Sequence, residues 1–256
     1  MPTVPLWETG ISALALSRGT AQQQSRWLPA VTSGTATLSL VASLSGLQPI
    51  REEAGVRQGQ ALVSGLSQAL VVVTDDGVFL AETPQGQAIP TTNHSLAYDL
   101  DLTGVPAERL EVPAGWLLDA ARLGVAAQQL GVADAGVWKV AAHLTGREQF
   151  GRPLATFQAT TQQLGDAYCD VQAMWATLWQ AVWALGAGWA EREVAVATWW
   201  ATDAAERVQH AVQHLHGGLG ADTTYPVHRR LLWTMRASAL LGGSSRQLAR
   251  LGATLV

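Results

Sequence analysis

The sequence predicts an α+β fold that is mostly α-helical, and three observations support this. β-Branched and alternating segments cluster between residues 35 and 112. From Trp116 onward, apolar residues recur every three or four positions, as on one face of a helix. A helical stretch, residues 5–30, precedes the strands. We therefore expect short N-terminal helices in 1–34, a small β-domain in 35–112 and an antiparallel four-helix bundle in 113–256.

The N-terminal stretch carries a start signal and a stop signal for a short helix. Thr20 is suited to cap a helix over Ala21–Leu28, because its hydroxyl can accept a hydrogen bond from a free backbone N–H. Pro29 is expected to end that helix, since the residue before a proline avoids the α conformation.

The β-domain is predicted from short runs separated by turn sequences such as Asp75-Asp76-Gly77 and Pro84-Gln85-Gly86. The expected strands are Ala36–Ser43, Ala69–Thr74, Val78–Glu82, Tyr98–Leu102 and Arg109–Val112.

The bundle is predicted from four long periodic segments with short connections between them. The expected helices run from Trp116 to His143 (closed by Gly146), from after Pro153 to Leu185, from Glu191 to His214, and from after Pro226 to the break at Gly242-Gly243, with a final turn over Ser244–Leu251.

Composition excludes several classes of function. A net charge of −4 with only 14% charged residues leaves no basic surface for nucleic acid. The single cysteine, Cys169, cannot form an intramolecular disulfide and fits a reducing cytoplasm, and residues 1–5 do not begin a signal peptide. Eleven tryptophans among so few charges predict that much apolar surface is covered by a partner.

Residues 171–190 contain no charged side chain and are long enough to span a bilayer. Trp175, Trp179 and Trp183 lie in the middle of this run, whereas membrane helices place tryptophan at their two ends. We therefore expect a helix buried in the bundle, and no membrane association.

Two motifs carry a resemblance to a known family. The first motif is Arg147-Glu148-Gln149-Phe150-Gly151, followed by Gln158. A long helical region comes next. The second motif ends this region and consists of His214-Leu215-His216-Gly217-Gly218-Leu219-Gly220 followed by Tyr225-Pro226. From about Gly19 to its end, the chain resembles the acyl-CoA dehydrogenases. It looks most like the small subunits of actinobacterial heteromeric enzymes that act on steroid side chains. The resemblance implies a truncated acyl-CoA dehydrogenase-like fold, whose first helices another chain supplies unless the sequence itself is cut short.

The resemblance also implies an FAD site. Arg147 would bind the flavin pyrophosphate, because its planar guanidinium donates two hydrogen bonds at once. Gln158 would bind the same region and His214 would lie near the adenine, while Gly217 and Gly218 let the cofactor approach the backbone. Phe150 belongs to the same motif. Two alternatives stay open: Arg147 as a helix-terminal residue bound to carbonyls, and Gln158 as an ordinary polar position.

The β-domain retains little of the family's flavin-ring contacts. In the family, Thr-Glu-Pro and Trp-Ile-Thr-Asn segments lie beside the ring. The corresponding stretches here keep only the hydroxyls of Ser43 and Ser64. Whether this chain contacts the flavin ring therefore stays open.

No catalytic base is found at the family's positions for it. The family removes the α-proton of an acyl thioester with a glutamate, and the two usual places for it are Gly242 and Ala114 here. Asp119 and Glu111 are nearby, but a solvated carboxylate at a helix end is the better interpretation of each.

The missing base predicts a second chain. We expect a paralogous full-length acyl-CoA dehydrogenase to supply the glutamate in an α2β2 complex that takes an acyl-CoA substrate. The alternative is a structural or regulatory pseudoenzyme that binds no flavin.

Three histidines also suggest a metal site, because residues four apart share a helix face. His210, His214 and His216 are the candidates, but no cysteine or carboxylate in a ligand spacing completes the set. We expect no metal.

Overall fold

The fold is described by a computed structural model that covers residues 6–45, 51–53, 56–58, 60–65, 67–91 and 96–255. The chain forms two compact units, Met1–Gly124 and Val125–Val256. The fold class is the predicted one, mostly helical with small sheets. The three-part division of the chain stays a prediction.

Two helices begin the first unit, α1 (Leu6–Leu16) and α2 (Ala21–Thr32). Thr20 caps α2 as predicted: its Oγ1 accepts from the Gln23 N–H at 3.3 Å, and the Gln23 side chain accepts from the Thr20 N–H at 2.9 Å. The predicted end of α2 at Pro29 is wrong. Pro29 lies inside the helix, at the start of its last turn; proline removes its own N–H donor there, but its carbonyl still accepts from the Ser33 N–H at 3.1 Å.

Nine strands follow in the part of the first unit that the structure describes, and four of them were not predicted. The nine are β1 (Leu38–Val41), β2 (Arg51–Glu53), β3 (Val56–Gln58), β4 (Gln60–Val63), β5 (Ala69–Thr74), β6 (Gly77–Glu82), β7 (Gly86–Pro90), β8 (Leu96–Asp101) and β9 (Ala107–Leu110).

Two sheets and a hairpin contain these strands. The first sheet has the order β1-β5-β6-β9, with β1 parallel to β5 and the other pairs antiparallel. The second is antiparallel, in the order β4-β8-β7, while β2 and β3 pair with each other. Strand β5 is buried along its whole length, as its apolar run predicts. One core cluster joins residues of both sheets: Val41, Ala61, Val63, Leu70, Val72, Leu100 and Leu102.

Helix α3 (Ala114–Gly146) leads from the first unit into the second. After it come the short pair β10 (Glu148–Gln149) and β11 (Arg152–Pro153), then α4 (Gln158–Ala187) and α5 (Glu191–Leu215). The chain ends with α6 (Gly218–Ala221), α7 (His228–Leu241) and α8 (Ser244–Ala253). The four predicted long helices are confirmed, with ends that differ by a few residues. The β10–β11 hairpin and α6 were not predicted.

Helix α5 is the centre of the second unit. It turns back against α4 at Gly188, whose φ of 85° ends α4 in the left-handed conformation. It also packs on α7 and α8. Small side chains let these helices approach closely. Those buried along α5 are Ala195, Ala197, Ala201, Ala204, Ala205 and Val208.

A layer of polar side chains ties these helices together. Gln129 of α3 donates to the Thr234 carbonyl of α7 at 3.1 Å. Gln209 of α5 donates to the Val132 carbonyl of α3 at 3.0 Å. Because buried polar groups lose free energy unless they are paired, these bonds specify how α3, α5 and α7 are aligned.

The uncharged run in α4 has one buried face and one exposed face. Val171, Met174 and Leu178 are buried, whereas Trp175 and Trp183 are 50% and 63% exposed. The expectation of a helix buried in the bundle is therefore confirmed for one face of α4 and wrong for the face that carries the tryptophans. No helix in the described ranges has the length and apolarity needed to cross a bilayer.

Replacing Thr20 by Ala should lower the free energy of unfolding by about 1 kcal/mol, because the capping box loses its side-chain acceptor. Urea unfolding followed by circular dichroism measures this change. Ser25→Ala, in the exposed middle of the same helix, is the matched control and should change stability by less than about 0.5 kcal/mol. Equal losses in the two variants would contradict the assigned cap.

Candidate functional site

The last turns of α3 and α5 meet at one end of the second unit. The ring of His143, four residues before Arg147, stacks on the ring of His216 with centroids 4.6 Å apart and an interplanar angle of 22°. His216 directly precedes Gly217. The stack therefore fixes the end of α3, with Arg147, next to the glycine-containing turn that follows α5.

The start of α4 lies at the same end. His214 Nδ1 is 3.2 Å from Oε1 of Gln163, in the second turn of α4, whose first residue is Gln158. Five of the sequence-predicted binding residues thus share one end of the bundle: Arg147, Gln158, His214, Gly217 and Gly218.

Arg147 leaves its guanidinium available. Its backbone N–H donates to the His143 carbonyl at 2.9 Å, and its own carbonyl accepts from the Leu154 N–H at 2.8 Å. The side chain is exposed and forms no ion pair or hydrogen bond with any residue that the structure describes. Because no described residue pairs with its charge, this arginine can bind an anion.

Phe150 is held in a strained and exposed position. The β10–β11 hairpin turns at Phe150 and Gly151, with φ of 54° and 77°, so both central residues are left-handed as in a type I′ turn. No other non-glycine residue in the described ranges has positive φ. The Phe150 ring is 89% exposed and touches Phe157 edge-on at 6.0 Å. A bulky side chain that is both strained and solvated indicates a contact made outside the chain.

The three glycines after α5, Gly217, Gly218 and Gly220, differ in what requires them. A Cβ on Gly220 would lie 2.4 Å from the Gln213 carbonyl oxygen, so Gly220 is needed for packing. Gly217 has φ of 59°, which favours glycine for conformational reasons. A Cβ on Gly218 would meet no described atom within 4 Å, and its φ is not left-handed. No described residue requires a glycine at position 218, and the close approach of another molecule would.

The stacked histidines have depressed pKa values. Burial lowers the pKa of His216; the hydrogen bond of its Nδ1 to the Val212 carbonyl (2.7 Å) opposes this, and Lys139 and Arg230 lower the pKa further. Burial also lowers the pKa of His143, with added repulsion from His216 and Arg147. His216 is 3% exposed, and its Nε2 has no partner in the described structure. Both rings are therefore neutral at pH 7.

An acidic groove of about 600 Å³ lies beside His214, between α4 and α5. Its lining includes Asp203, Glu206 and His210. Arg207 is the basic residue in it, and its guanidinium is already paired with Asp170 (2.9 Å) and with Asp203. The groove repels phosphate, so an anion at this end of the unit would lie on the Arg147 side. A neutral group such as an adenine suits the groove better.

The three histidines of the suggested metal site separate in space. His210 and His214 line the groove, whereas His216 is buried against His143. Within the described ranges, no group of three or more histidine, cysteine, aspartate or glutamate side chains is placed to hold a metal ion.

The two predicted serines belong to the first unit. Ser43 is half-buried in the loop after β1. Ser64 follows β4, and its Oγ donates to Oε1 of Glu8 at 2.7 Å. The hydroxyl proton of Ser64 is therefore engaged with α1.

The residues considered for a catalytic base differ in their surroundings. Gly242 ends α7 with φ of 86°, a conformation that a glutamate side chain would strain, and Ala114 begins α3. Glu111 is solvated, as predicted, with 79% of its side chain exposed. For Asp119 the prediction of a solvated carboxylate is wrong. Its side chain is 16% exposed and its Oδ1 lies 2.9 Å from Nη1 of Arg122, which holds it in an ion pair.

The sequence analysis missed His143 and His216 as residues that assemble the site. Their spacing held a signal. His143 lies one helical turn before Arg147, and His216 lies next to Gly217, so each could be expected to face the site. The contact between them joins residues 73 positions apart, and no local pattern predicts it.

Comparison with known proteins identifies related sequences. Residues 113–255 match the family model of the acyl-CoA dehydrogenase C-terminal domain. The chain is 37% identical to acyl-CoA dehydrogenase FadE27 of Mycobacterium tuberculosis over 206 residues, which are 75% of this chain and 54% of FadE27. It is 30% identical to FadE28 of the same organism, over 93% of this chain and 75% of FadE28. It thus spans about half the length of the first of these relatives.

Solved structures share the fold. A variant of the steroid acyl-CoA dehydrogenase Tcur3481–Tcur3483 superposes with a TM-score of 0.89 at 38% identity, over 98% of this chain and 76% of that one. The ChsE4–ChsE5 complex of Mycobacterium tuberculosis gives 0.87 at 32% identity, over 99% and 76%.

Stability should fall as the pH drops below about 6.5. Above that pH neither state protonates the two imidazoles. Below it, His143 and His216 of the unfolded chain take up protons near the ordinary pKa of 6.5. In the folded state their pKa values are lower, so the folded chain binds fewer protons and loses stability relative to the unfolded chain. His143→Phe keeps a ring for stacking but removes one titrating group. The drop in melting temperature between pH 7.5 and 5.5 should therefore be smaller in this variant, and an unchanged drop would contradict the assignment.

Proposed function

Because this chain belongs to the acyl-CoA dehydrogenase family, we propose that it is one subunit of a heteromeric, FAD-dependent enzyme that desaturates a CoA thioester. One observation carries this proposal. The unpaired guanidinium of Arg147 and the open glycine turn at Gly217-Gly218 lie at one end of the second unit, although about 70 residues separate them.

The residues at this end fit the adenosine-diphosphate half of FAD. Arg147 would bind the pyrophosphate with charge-assisted hydrogen bonds. Gln158 would add a polar contact, and Gly218 would let the cofactor lie against the backbone. His214 keeps one donor and one acceptor while neutral, as binding an adenine edge requires. Phe150 offers an exposed ring at the hairpin tip. When bound, FAD supplies the acceptor for the hydride that leaves the acyl chain.

Proton removal would fall to a partner. The α-proton of a thioester is only weakly acidic, so a positioned base is required. Gly242 and Ala114 cannot act as one, Asp119 is held in an ion pair, and Glu111 is solvated. We therefore assign the base to a glutamate of a paralogous full-length acyl-CoA dehydrogenase. This chain would bind and position the cofactor, in a cytoplasmic α2β2 complex.

The substrate proposal is an acyl-CoA with a bulky acyl part, such as a steroid side chain. It is supported by the similarity to the Tcur3481–Tcur3483 steroid enzyme, at 38% identity over nearly the whole chain. The first unit would make few contacts with the flavin ring, because Ser43 is half-buried and the Ser64 hydroxyl donates to Glu8. The ring contacts would then come largely from the partner.

A second candidate is a flavin-free subunit that stabilises a dehydrogenase partner. The reduced β-domain motifs and the absent base favour it. The unused charge of Arg147 and the unexplained glycine at 218 favour cofactor binding. A complex that purifies yellow, and loses its colour when Arg147 is replaced, would decide for the flavoprotein.

Replacing Arg147 by Ala should weaken FAD binding by about ten- to a hundredfold, because a charge-assisted hydrogen bond contributes roughly 1.5–3 kcal/mol. The test is the flavin retained by the co-purified complex on dilution and gel filtration. Arg192→Ala is the matched control: Arg192 is an exposed arginine in the first turn of α5, at the opposite end of that helix. Full flavin retention in Arg147→Ala would show that Arg147 is only a helix-end residue.

The chain purified alone should not oxidise any acyl-CoA, because Gly242 and Ala114 occupy the two positions at which the family carries its base. Turnover is measured with an artificial electron acceptor. A positive result that Asp119→Asn abolishes, with the melting temperature of the variant unchanged, would make Asp119 the base and overturn the assignment to a partner.

A further inference from the structure

Positive charge collects around the two stacked histidines. Lys139 and His143 lie one turn apart on α3, and Arg147, one turn further on, continues the same side, because its N–H still donates to the His143 carbonyl at 2.9 Å. His216 stacks on His143 from the end of α5. Lys139 and Arg230, in the first turn of α7, lie close enough to His216 to add to the lowering of its pKa by burial. We call these five residues the histidine–cation cluster.

The histidine–cation cluster has no counter-charge among the residues that the structure describes. None of Lys139, Arg147 and Arg230 forms an ion pair with a described carboxylate. The first turn of α7 contains no acidic residue, so the partial positive charge at the start of that helix adds to the cluster. An anion bound here would therefore relieve repulsion that the chain itself leaves uncompensated.

The other titratable groups on this side of the unit do not supply the missing charge. The Tyr225 ring lies 5.6 Å from the His216 ring, and the Lys139 ammonium lies 5.6 Å from the Tyr225 ring centroid, but a phenol is neutral at pH 7. Asp222, in the turn before α7, accepts from the backbone N–H and the hydroxyl of Thr224, both at 2.8 Å. Its carboxylate is therefore engaged locally.

The ring of His216 has a defined place for a proton. Its Nδ1 lies 2.7 Å from the Val212 carbonyl, which can only accept, so Nδ1 carries the hydrogen and a further proton would bind at Nε2. Nε2 is buried and has no partner in the described structure. Packing alone does not need this nitrogen, because a buried polar atom without a partner lowers stability. Two charged rings at 4.6 Å would repel, so the pair can hold at most one proton.

A bound anion would reverse the charge that acts on the pair. Burial lowers the pKa of both rings, and cations lower it further, Arg147 at His143 and Lys139 with Arg230 at His216. A dianion beside Arg147 would offset these cations and raise the pKa of the pair. By linkage, a site that takes up a proton on binding also binds more tightly as the pH falls.

We propose that the histidine–cation cluster is a proton-linked anion site. Binding of a diphosphate ester beside Arg147 draws up to one proton onto the His143–His216 pair, and the anion is held more tightly at pH 6 than at pH 8. This inference rests on the proposed function, because the diphosphate ester is that of FAD. It adds that cofactor occupancy falls as the pH rises, and that bound cofactor protects the chain against acid.

The test is isothermal titration calorimetry of FAD into the co-purified complex after its flavin has been removed. Titrations at pH 6.5 in MES and in bis-Tris, which differ in their enthalpy of ionisation, give the number of protons taken up. A series from pH 6 to pH 8 gives the dissociation constant. FAD itself gains or loses no proton in this range, so any uptake belongs to the protein.

The complex should take up a fraction of one proton per FAD at pH 6.5. Its dissociation constant should rise about three- to tenfold between pH 6 and pH 8, as linkage to less than one proton requires.

Three variants assign the proton to the cluster. The double variant His143→Phe with His216→Phe keeps two rings for stacking and removes both protonation sites, so the uptake and the pH dependence should disappear. Lys139→Met removes one cation beside His216 and should move the pH dependence to higher pH. His94→Phe is the matched control, since it removes one histidine of the first unit, and it should change neither result. Melting curves check that each variant folds, and Lys139→Met alone decides if the double variant does not.

The results separate this inference from the proposed function. FAD binding without proton uptake at pH 6.5, uptake that survives the double substitution, or a pH dependence that Lys139→Met leaves in place rejects the inference and keeps the flavoprotein.

A complex that binds no FAD rejects the proposed function, and sodium sulfate then decides for the anion site. Sulfate is a dianion that does not titrate between pH 5.5 and 7.5. Compared with chloride at equal ionic strength, it should reduce the acid-induced drop in melting temperature more in the unaltered chain than in the double histidine variant. The same effect of sulfate in both chains, or no effect in either, rejects the anion site as well.

Discussion

The stack between His143 and His216 is the interaction on which the candidate site depends. It holds the last turn of α3 against the C-terminal end of α5. Arg147 and the turn at Gly217-Gly218, which are far apart in the sequence, therefore lie at the same end of the second unit. Burial is the main cause that lowers the pKa of both rings, and repulsion adds to it, from His216 and Arg147 at His143 and from Lys139 and Arg230 at His216, so both rings are neutral at pH 7. The geometry of the site and its protonation state therefore have the same cause.

Around this stack, some residues are required by the fold of the chain and others are not. Gly220 is fixed by its contact with the Gln213 carbonyl, and Gly217 by its positive φ. For Gly218 and the exposed, strained Phe150, no contact with a described residue gives such an explanation. Together with the unpaired Arg147, they mark the surface where a second molecule is expected. Proteins hold such strain and unused charge where binding can use them.

Much of the fold could be predicted because its signals are local. Thr20 and Gln23 form the capping box that their spacing implies, and the apolar run of β5 is buried throughout. The failures have physical reasons. Strand β7 is exposed along its length, so it shows no apolar alternation. Pro29 begins the last turn of α2, and its carbonyl still accepts from the Ser33 N–H, so the helix continues past it.

The candidate site could be predicted only in part, because a sequence motif identifies residues but not their burial or their contacts in the folded chain. Arg147, Gln158 and Gly217 could be chosen from the motifs, and the structure places them at one end of the second unit. The ion pair between Asp119 and Arg122 and the stacked histidines depend on burial and on contacts across the bundle, which sequence spacing does not report. The tryptophans were expected at an interface, but which of them remain exposed depends on how α4 lies against α5.

A structure of the complex co-purified with its acyl-CoA dehydrogenase partner tests the central claim most directly. The account predicts FAD with its pyrophosphate within hydrogen-bonding distance of the Arg147 guanidinium and its adenosine against the turn at Gly217-Gly218. It also predicts a partner glutamate, and no carboxylate of this chain, at the acyl α-carbon. FAD held entirely by the partner, with the Arg147 end of this chain covered by protein alone, would contradict it.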